Sequence, residues 1–236
     1  MDEEVQAIGD RYEAAFRRAG SVGELASTLD QLSFFIEMLR VDTDEAAGFR
    51  VDDLYINNPG DSTVSVEVFW LIRGQANPDP ESRTFDIGPG ATHIMQDVIG
   101  GDFGMNRGNG AFRITSVGGP VIANLIAVAV IEDEHGTRTL GSGFEGVPSS
   151  AATSAGESST LMGIVATAAF RTNLFATAGA GGVTMELDLL DPWGPVIETV
   201  TVTIEPYEPW FSEVTDLWNI EELLHATALV RVTSGS

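Results

Sequence analysis

Apolar residues recur along this chain with two different periods, and the change from one to the other falls near residue 47. Before it, Val5, Ile8, Tyr12 and Ala15/Phe16 are spaced as on one helix face, Gly20-Ser21-Val22-Gly23 interrupts, and Leu25, Leu29, Leu32, Phe35/Ile36 and Leu39 resume the spacing. This predicts two short helices, a hairpin whose apolar stripe must pack on something. It serves either as a cap on the following domain or as a docking element for another protein.

After residue 47 the period is two. Val64, Val66, Val68 and Trp70 alternate with Ser65, Glu67 and Phe69, as in a strand with one buried face. Asn57-Asn58-Pro59-Gly60-Asp61 reads as a turn, and Glu132-Asp133-Glu134-His135-Gly136 as the tip of a hairpin between Val121–Ile131 and Thr137–Phe144. Further strands are predicted at Leu161–Ala166, Thr172–Ala176, Val183–Leu190, Val196–Ile204, Trp210–Val214 and Ala228–Thr233. Short strands at this spacing, with Gly and Pro turns between them, indicate antiparallel sandwiches instead of a parallel α/β sheet.

The pattern also repeats. Phe49-Arg50-Val51-Asp52-Asp53-Leu54 is echoed by Phe170-Arg171-Thr172-Asn173-Leu174, Val64 by Val183, Ile87 by Ile204, and Arg113-Ile114-Thr115-Ser116 by Arg231-Val232-Thr233-Ser234, at spacings of 121, 119, 117 and 118 residues. Solenoid units of about 20 to 50 residues share one core, whereas a unit this long should hold its own. The expected fold is therefore all-β: two tandem Ig-like antiparallel β-sandwiches with an N-terminal helical hairpin. The divisions are a helical leader over residues 1–40, a first sandwich over 41–148, a Ser/Ala/Gly/Thr-rich linker over 149–159 and a second sandwich over 160–236. The second copy lacks, within this chain, the last hairpin of the first: either it borrows strands from a neighbour or another segment, or it is a shorter sandwich, and a missing strand would leave an open edge that invites pairing.

Composition narrows the function. Of 236 residues 35 are acidic and 12 basic, every basic one being arginine, for a formal charge of −23. Such a surface repels nucleic acid and anionic lipid. It suits a chain kept soluble by self-repulsion in salt, one that gathers cations, or a genome that uses arginine for lysine. Zero cysteines exclude disulfides, thiol catalysis and thiolate metal sites. Met1 is followed by Asp2-Glu3-Glu4 and not by a basic, then apolar, leader, and no apolar run reaches the roughly 20 residues of a bilayer span.

Candidate chemistry is sparse. His93, His135 and His225 are scattered, with no HExxH spacing, and His225 follows Leu223-Leu224 in a predicted short helix. Gly141-Ser142-Gly143-Phe144-Glu145-Gly146 fits GxGxxG but runs into Val147-Pro148 where a dinucleotide site needs a helix. Calcium has the better case, since hard cations take oxygen ligands from loops: Asp42 and Asp44 form one cluster, Asp97 and Asp102 another, though neither follows EF-hand order. Trp193, on the turn Asp191-Pro192-Trp193-Gly194-Pro195, is the aromatic best placed to stack on a sugar. Arg50 and Arg171 each follow a Phe at a strand start and read as structural, pairing with Asp53 or with carbonyl oxygens.

The Phe-Arg-x-Asp/Asn-Leu motifs at Phe49–Leu54 and Phe170–Leu174, with Asn58-Pro59-Gly60 and Gly88-Pro89-Gly90, resemble uncharacterised tandem β-sandwich repeat domains of bacterial secreted and surface proteins. The resemblance covers about residues 47 to 236. It implies an extracellular or cell-surface structural or adhesive module, with no catalytic residues and no cofactor. Such a module would bind protein neighbours, or copies of itself, through sheet edges or the N-terminal helices. A carbohydrate-binding module and a divalent-cation-dependent adhesion domain are the alternatives.

Overall fold

The computed structural model describes residues 48–105, 108–133, 136–167 and 170–235. The leader helices, Asp42 and Asp44 lie outside the described residues. Thirteen strands carry the described fold, all of them paired antiparallel. In the first half they are β1 (Gly48–Asn57), β2 (Val64–Ile72), β3 (Ser82–Ile87), β4 (Thr92–Met95), β5 (Gly110–Val117), β6 (Ile122–Asp133) and β7 (Gly136–Glu145). In the second they are β8 (Ser158–Ala166), β9 (Asn173–Thr177), β10 (Val183–Leu190), β11 (Val196–Ile204), β12 (Pro209–Glu213) and β13 (Leu223–Gly235). The class is all-β. A π-helical turn at Val98–Asp102, a 3₁₀ turn at Ser149–Ala151 and one short helix, α1 (Val214–Trp218), interrupt the strands.

The sheets run β4-β1-β6-β7 and β3-β2-β5 in the first half, β11-β10-β13-β8 and β12-β9 in the second. Alternation decides which face of each strand is buried. In β2 the residues Val64, Val66, Val68 and Trp70 are buried while Ser65 is exposed, because successive side chains point to opposite faces. They join Leu54 and Ile56 of β1 and Ile87 of β3 in one apolar cluster fed by both sheets. A separate cluster gathers Ile164, Leu174, Met185, Leu187, Leu189 and Ile204 from the second pair of sheets with Trp218 of α1. The arrangement is sandwich-like in each half.

The repeat reappears in strand register. Val64 pairs with Ile87 across β2 and β3, and Val183 pairs with Ile204 across β10 and β11, all four buried. The three-stranded order β3-β2-β5 is matched by β11-β10-β13, and β4-β1 by β12-β9. Two differences break the correspondence. β8 adds an edge strand to β13, and among the described residues nothing in the second half corresponds to β6 and β7.

One buried asparagine fixes a loop that sequence chemistry marks only as a turn. Asn58, wholly buried, donates through Nδ2 to the carbonyls of Ser62 (2.7 Å), Ile87 (3.0 Å) and Gly88 (3.1 Å), and its Oδ1 accepts from the Gly60 amide (2.9 Å). Its side chain replaces the strand pairing that Pro59 and Gly60 cannot continue. The residues 149–159 do not hang free: Ala155 donates to the Gly235 carbonyl, Gly156 to Val232, and the Val232 amide to Glu157, which pins the stretch to β13 before β8 begins. The sequence places a short helix at His225. The structure instead keeps β13 extended there with an irregular register between Leu223 and Ala226, and His225 takes a left-handed φ of 57° to absorb it.

Candidate functional site

The β9–β12 pair is the smallest sheet of the described fold. Five residue pairs hold it, from Asn173 opposite Glu213 to Thr177 opposite Pro209. Backbone bonds just beyond both ends set its polarity: the Val214 amide donates to the Thr172 carbonyl (3.1 Å) and the Ala178 amide to Glu208 (3.2 Å). In an antiparallel strand a residue's N–H and C=O point the same way and alternate along the chain. Residues 172, 174, 176 and 178 therefore turn their backbone groups to β12, and Asn173, Phe175 and Thr177 turn theirs to the opposite edge. Among the described residues no strand lies on that edge.

Side chains alternate in the same way. Leu174 and Ala178 are buried in the second cluster and Ala176 packs against it, whereas Phe175 faces outward and stacks on Phe211 of β12 at 5.1 Å between ring centres. Arg73, at the end of β2, lies 4.8 Å from the centre of the Phe211 ring, so the outer face of this sheet meets the first half. Burial lowers the Arg73 guanidinium below its usual pKa.

The same contact continues in hydrogen bonds. The Gly74 amide donates to the Pro209 carbonyl (3.1 Å) and the Asn77 amide to Pro206 (3.0 Å), while Asn77 Nδ2 donates to Tyr207 (2.9 Å), Ile72 (3.0 Å) and Gln75 (2.9 Å). Arg113 is held between Phe69 at 3.9 Å and Tyr207 at 4.6 Å. Sequence reasoning missed this junction. Its only signal was Asn77-Pro78 in a loop between two strands, which reads as a turn and says nothing of a partner 130 residues away.

The residues singled out from sequence do not converge. Asp97 and Asp102 bracket the π-helical turn. Asp97 takes a left-handed φ of 47° and its amide donates to Asp53 Oδ1 (2.9 Å), and the Asp102 carbonyl, not its carboxylate, accepts from Arg83 Nε (2.8 Å). Among the described residues no group of three or more His, Asp or Glu gathers that could hold a metal ion. Trp193 is 88 % exposed on the β10–β11 turn, its amide bonded to Asp191 Oδ1 (2.7 Å). Trp70 and Trp218 are buried. Arg171, exposed, pairs with Glu213 at 3.1 Å beside the start of β9. Arg50 stands opposite Ala129 in β1, its side chain outside the described part, and Asp53 serves the Asp97 amide. Gly141 to Glu145 of the GxGxxG match lie within β7, which gives no helix N-terminus to a phosphate. His93 stacks on Phe85 at 3.8 Å, and His135 lies outside the described residues.

One charged cluster is built into the second half. Arg231 of β13 bridges Glu186 and Asp188 of β10, at 2.7 Å from the latter, and Thr199 Oγ1 donates to Asp188 Oδ1 at 2.7 Å. The Thr199 hydroxyl first, and then Arg231, hold the buried Asp188 carboxyl below its ordinary pKa. Every partner lies on a strand of one sheet, so the cluster cross-links β10, β11 and β13. A shallow cavity of about 390 Å³ lies under the β2–β3 loop between Trp70 and Met105, with Asp79 and Glu81 on its rim. Glu81 is engaged by Arg83 at 2.7 Å.

Comparison with protein-family models, with curated proteins and with solved structures finds no match to this chain. Among the described residues no helix is long and apolar enough to cross a membrane.

Proposed function

We propose that this chain is a non-catalytic structural or adhesive assembly module of the extracellular space or cell surface. In this reading it consists of two tandem Ig-like β-sandwiches behind an N-terminal helical hairpin, and it binds protein neighbours through sheet edges, the leader, or both. The observation that carries the reading is the β9 edge, which no strand covers among the described residues, on a strand whose counterpart β1 is paired on both edges. Main-chain groups at an open edge are a template for another strand. The junction through Asn77, Arg73 and Arg113 supports it, because fixed halves present their edges at fixed positions. Light scattering on the full chain and on residues 41–236, over a range of concentrations, tests it. Assembly that survives removal of residues 1–40 assigns the contact to sheet edges, and assembly that disappears assigns it to the leader. A chain that stays monomeric, and whose deletion leaves the protein complexes of the cell envelope unchanged, defeats the proposal.

A second reading rests on Trp193. An indole 88 % exposed on a rigid turn could stack on a sugar ring, and binding on a glycan array that vanishes in Trp193→Ala would favour a carbohydrate-binding module. A divalent-cation-dependent adhesion domain is favoured only if a chelator lowers the melting temperature.

A further inference from the structure

We infer that the outer edge of β9 is an acceptor site for one extended strand donated, antiparallel, by a polypeptide other than a copy of this chain, and that the donor carries the side-chain pattern of β6. This deepens the assembly reading and rests on it.

The first half shows what such an edge takes. Leu54 and Leu174 are the matching buried leucines of the repeated motif, which aligns Asp53, Tyr55 and Asn57 with Asn173, Phe175 and Thr177. The backbone polarity matches too. The Asn58 amide donates to Ala91 across from β4, so residues 54 and 56 turn their backbone groups to β4 and residues 53, 55 and 57 turn theirs to β6. There they meet Ile126, Asn124 and Ile122. The equivalent groups of Asn173, Phe175 and Thr177 make no backbone hydrogen bond among the described residues.

Three further observations point to the same place. Ile56, covered by β6, is 0 % exposed, whereas its counterpart Ala176 faces the second cluster yet is only partly buried. Asn173 Oδ1 is buried without a hydrogen-bond partner at the head of the edge. Phe170, 59 % exposed, stands beside it on the turn that Thr167 closes.

The donor's chemistry follows from the register. A strand laid on β9 as β6 lies on β1 sets residues equivalent to Leu125 and Ala123 opposite Leu174 and Ala176, facing the cluster. It sets residues equivalent to Ile126, Asn124 and Ile122 opposite Asn173, Phe175 and Thr177. Small apolar side chains fit the inward positions. The connection through Thr172, whose hydroxyl bonds the Val165 amide and carbonyl, bounds the site at one end and limits the ladder to the length of β9.

The test uses the full chain and a synthetic peptide carrying residues 121–128 with a lysine tail for solubility. Hydrogen exchange of the Asn173, Phe175 and Thr177 amides should slow at least about tenfold with saturating peptide, as expected when exposed edge amides become paired. A peptide N-methylated at the residues equivalent to Ile122, Asn124 and Ile126 should give no protection, because it cannot complete the ladder. Thr177→Pro should weaken binding while leaving unfolding by urea unchanged, since that amide does not face β12. Three results would overturn the assignment: equal protection by both peptides, protection already present in dilute protein without peptide, or protection that grows with protein concentration alone. The last would make a second copy the occupant. The first two results do not bear on whether the chain assembles, which light scattering decides separately.

Discussion

Replacing Asn77 should loosen the junction between the two halves by an amount that can be worked from its contacts. Its side chain is buried and makes four hydrogen bonds: Oδ1 accepts from the Ile72 amide, and Nδ2 donates to the carbonyls of Ile72, Gln75 and Tyr207. At about 1 kcal/mol net apiece these sum to about 4 kcal/mol. Ile72 is partly exposed at the end of β2, so water can replace its two bonds in Asn77→Ala, which reduces the expected loss to about 2–3 kcal/mol. For a chain of this size that corresponds to a fall in melting temperature of roughly 4–12 °C. Asn77→Asp should be worse at neutral pH, because it keeps one acceptor, removes three donations and sets an anion against three carbonyl oxygens. That carboxyl will have a folded-state pKa above its unfolded value, so its penalty shrinks as pH falls towards 4 and the carboxyl takes up a proton. Urea unfolding of the two variants at pH 7 and pH 4.5 measures both effects. Hydrogen exchange at the Gly74 amide, which bonds the Pro209 carbonyl across the junction, shows whether the loss is local. An Asp variant no less stable than the Ala variant at pH 7, or a penalty independent of pH, would refute the account of Asn77 as a multiple donor.

Two other outcomes follow from the packing. Asp188 is held below its ordinary pKa by Thr199 and Arg231, so the cluster stabilises the fold above the unfolded value near 3.8 and that contribution disappears as pH falls through the lower folded value. Asp188→Asn should therefore flatten the acid limb of a stability-versus-pH curve below about pH 4, and an unchanged limb would exclude this residue as its source. Gly110 pairs with Ile72, and a Cβ there would meet the Leu71 carbonyl oxygen at 2.0 Å and the Trp70 ring at 2.8 Å. Gly110→Ala should cost about 3 kcal/mol or more in urea unfolding, since backbone cannot step aside as a flexible side chain can.

Local pattern carried the sequence reading furthest where strands are regular. Val183–Leu190 and Val196–Ile204 coincide with β10 and β11, and Val121–Ile131 with Thr137–Phe144 became the β6–β7 hairpin, because alternation and turn residues act over a few neighbours. The pattern failed at His225, where pairing with β8 kept β13 extended, and at α1, whose Val214, Leu217 and Trp218 give too short a period to read. The carboxylates read as cation ligands could not be judged from spacing, since a ligand set is a matter of convergence in space. Asp97 and Asp102 bracket the π-helical turn, where the Asp97 amide bonds Asp53 and the Asp102 carbonyl bonds Arg83.

Sequence alone yielded the all-β class, the regular strands with the turns between them, and the buried face of β2. These follow from alternation and from the turn preferences of Pro, Gly and Asn, which need no distant partner. Which strands pair, and which edge stays uncovered, was decided only by the tertiary structure. The backbone bonds that join β1 to β6, and the side-chain bond that reaches from Asn77 to Tyr207, link positions whose separation leaves no periodic trace. That the outer edge of β9 carries no strand among the described residues is likewise a property of the assembled sheets, since a residue's backbone groups are free only relative to the strands that fold beside it.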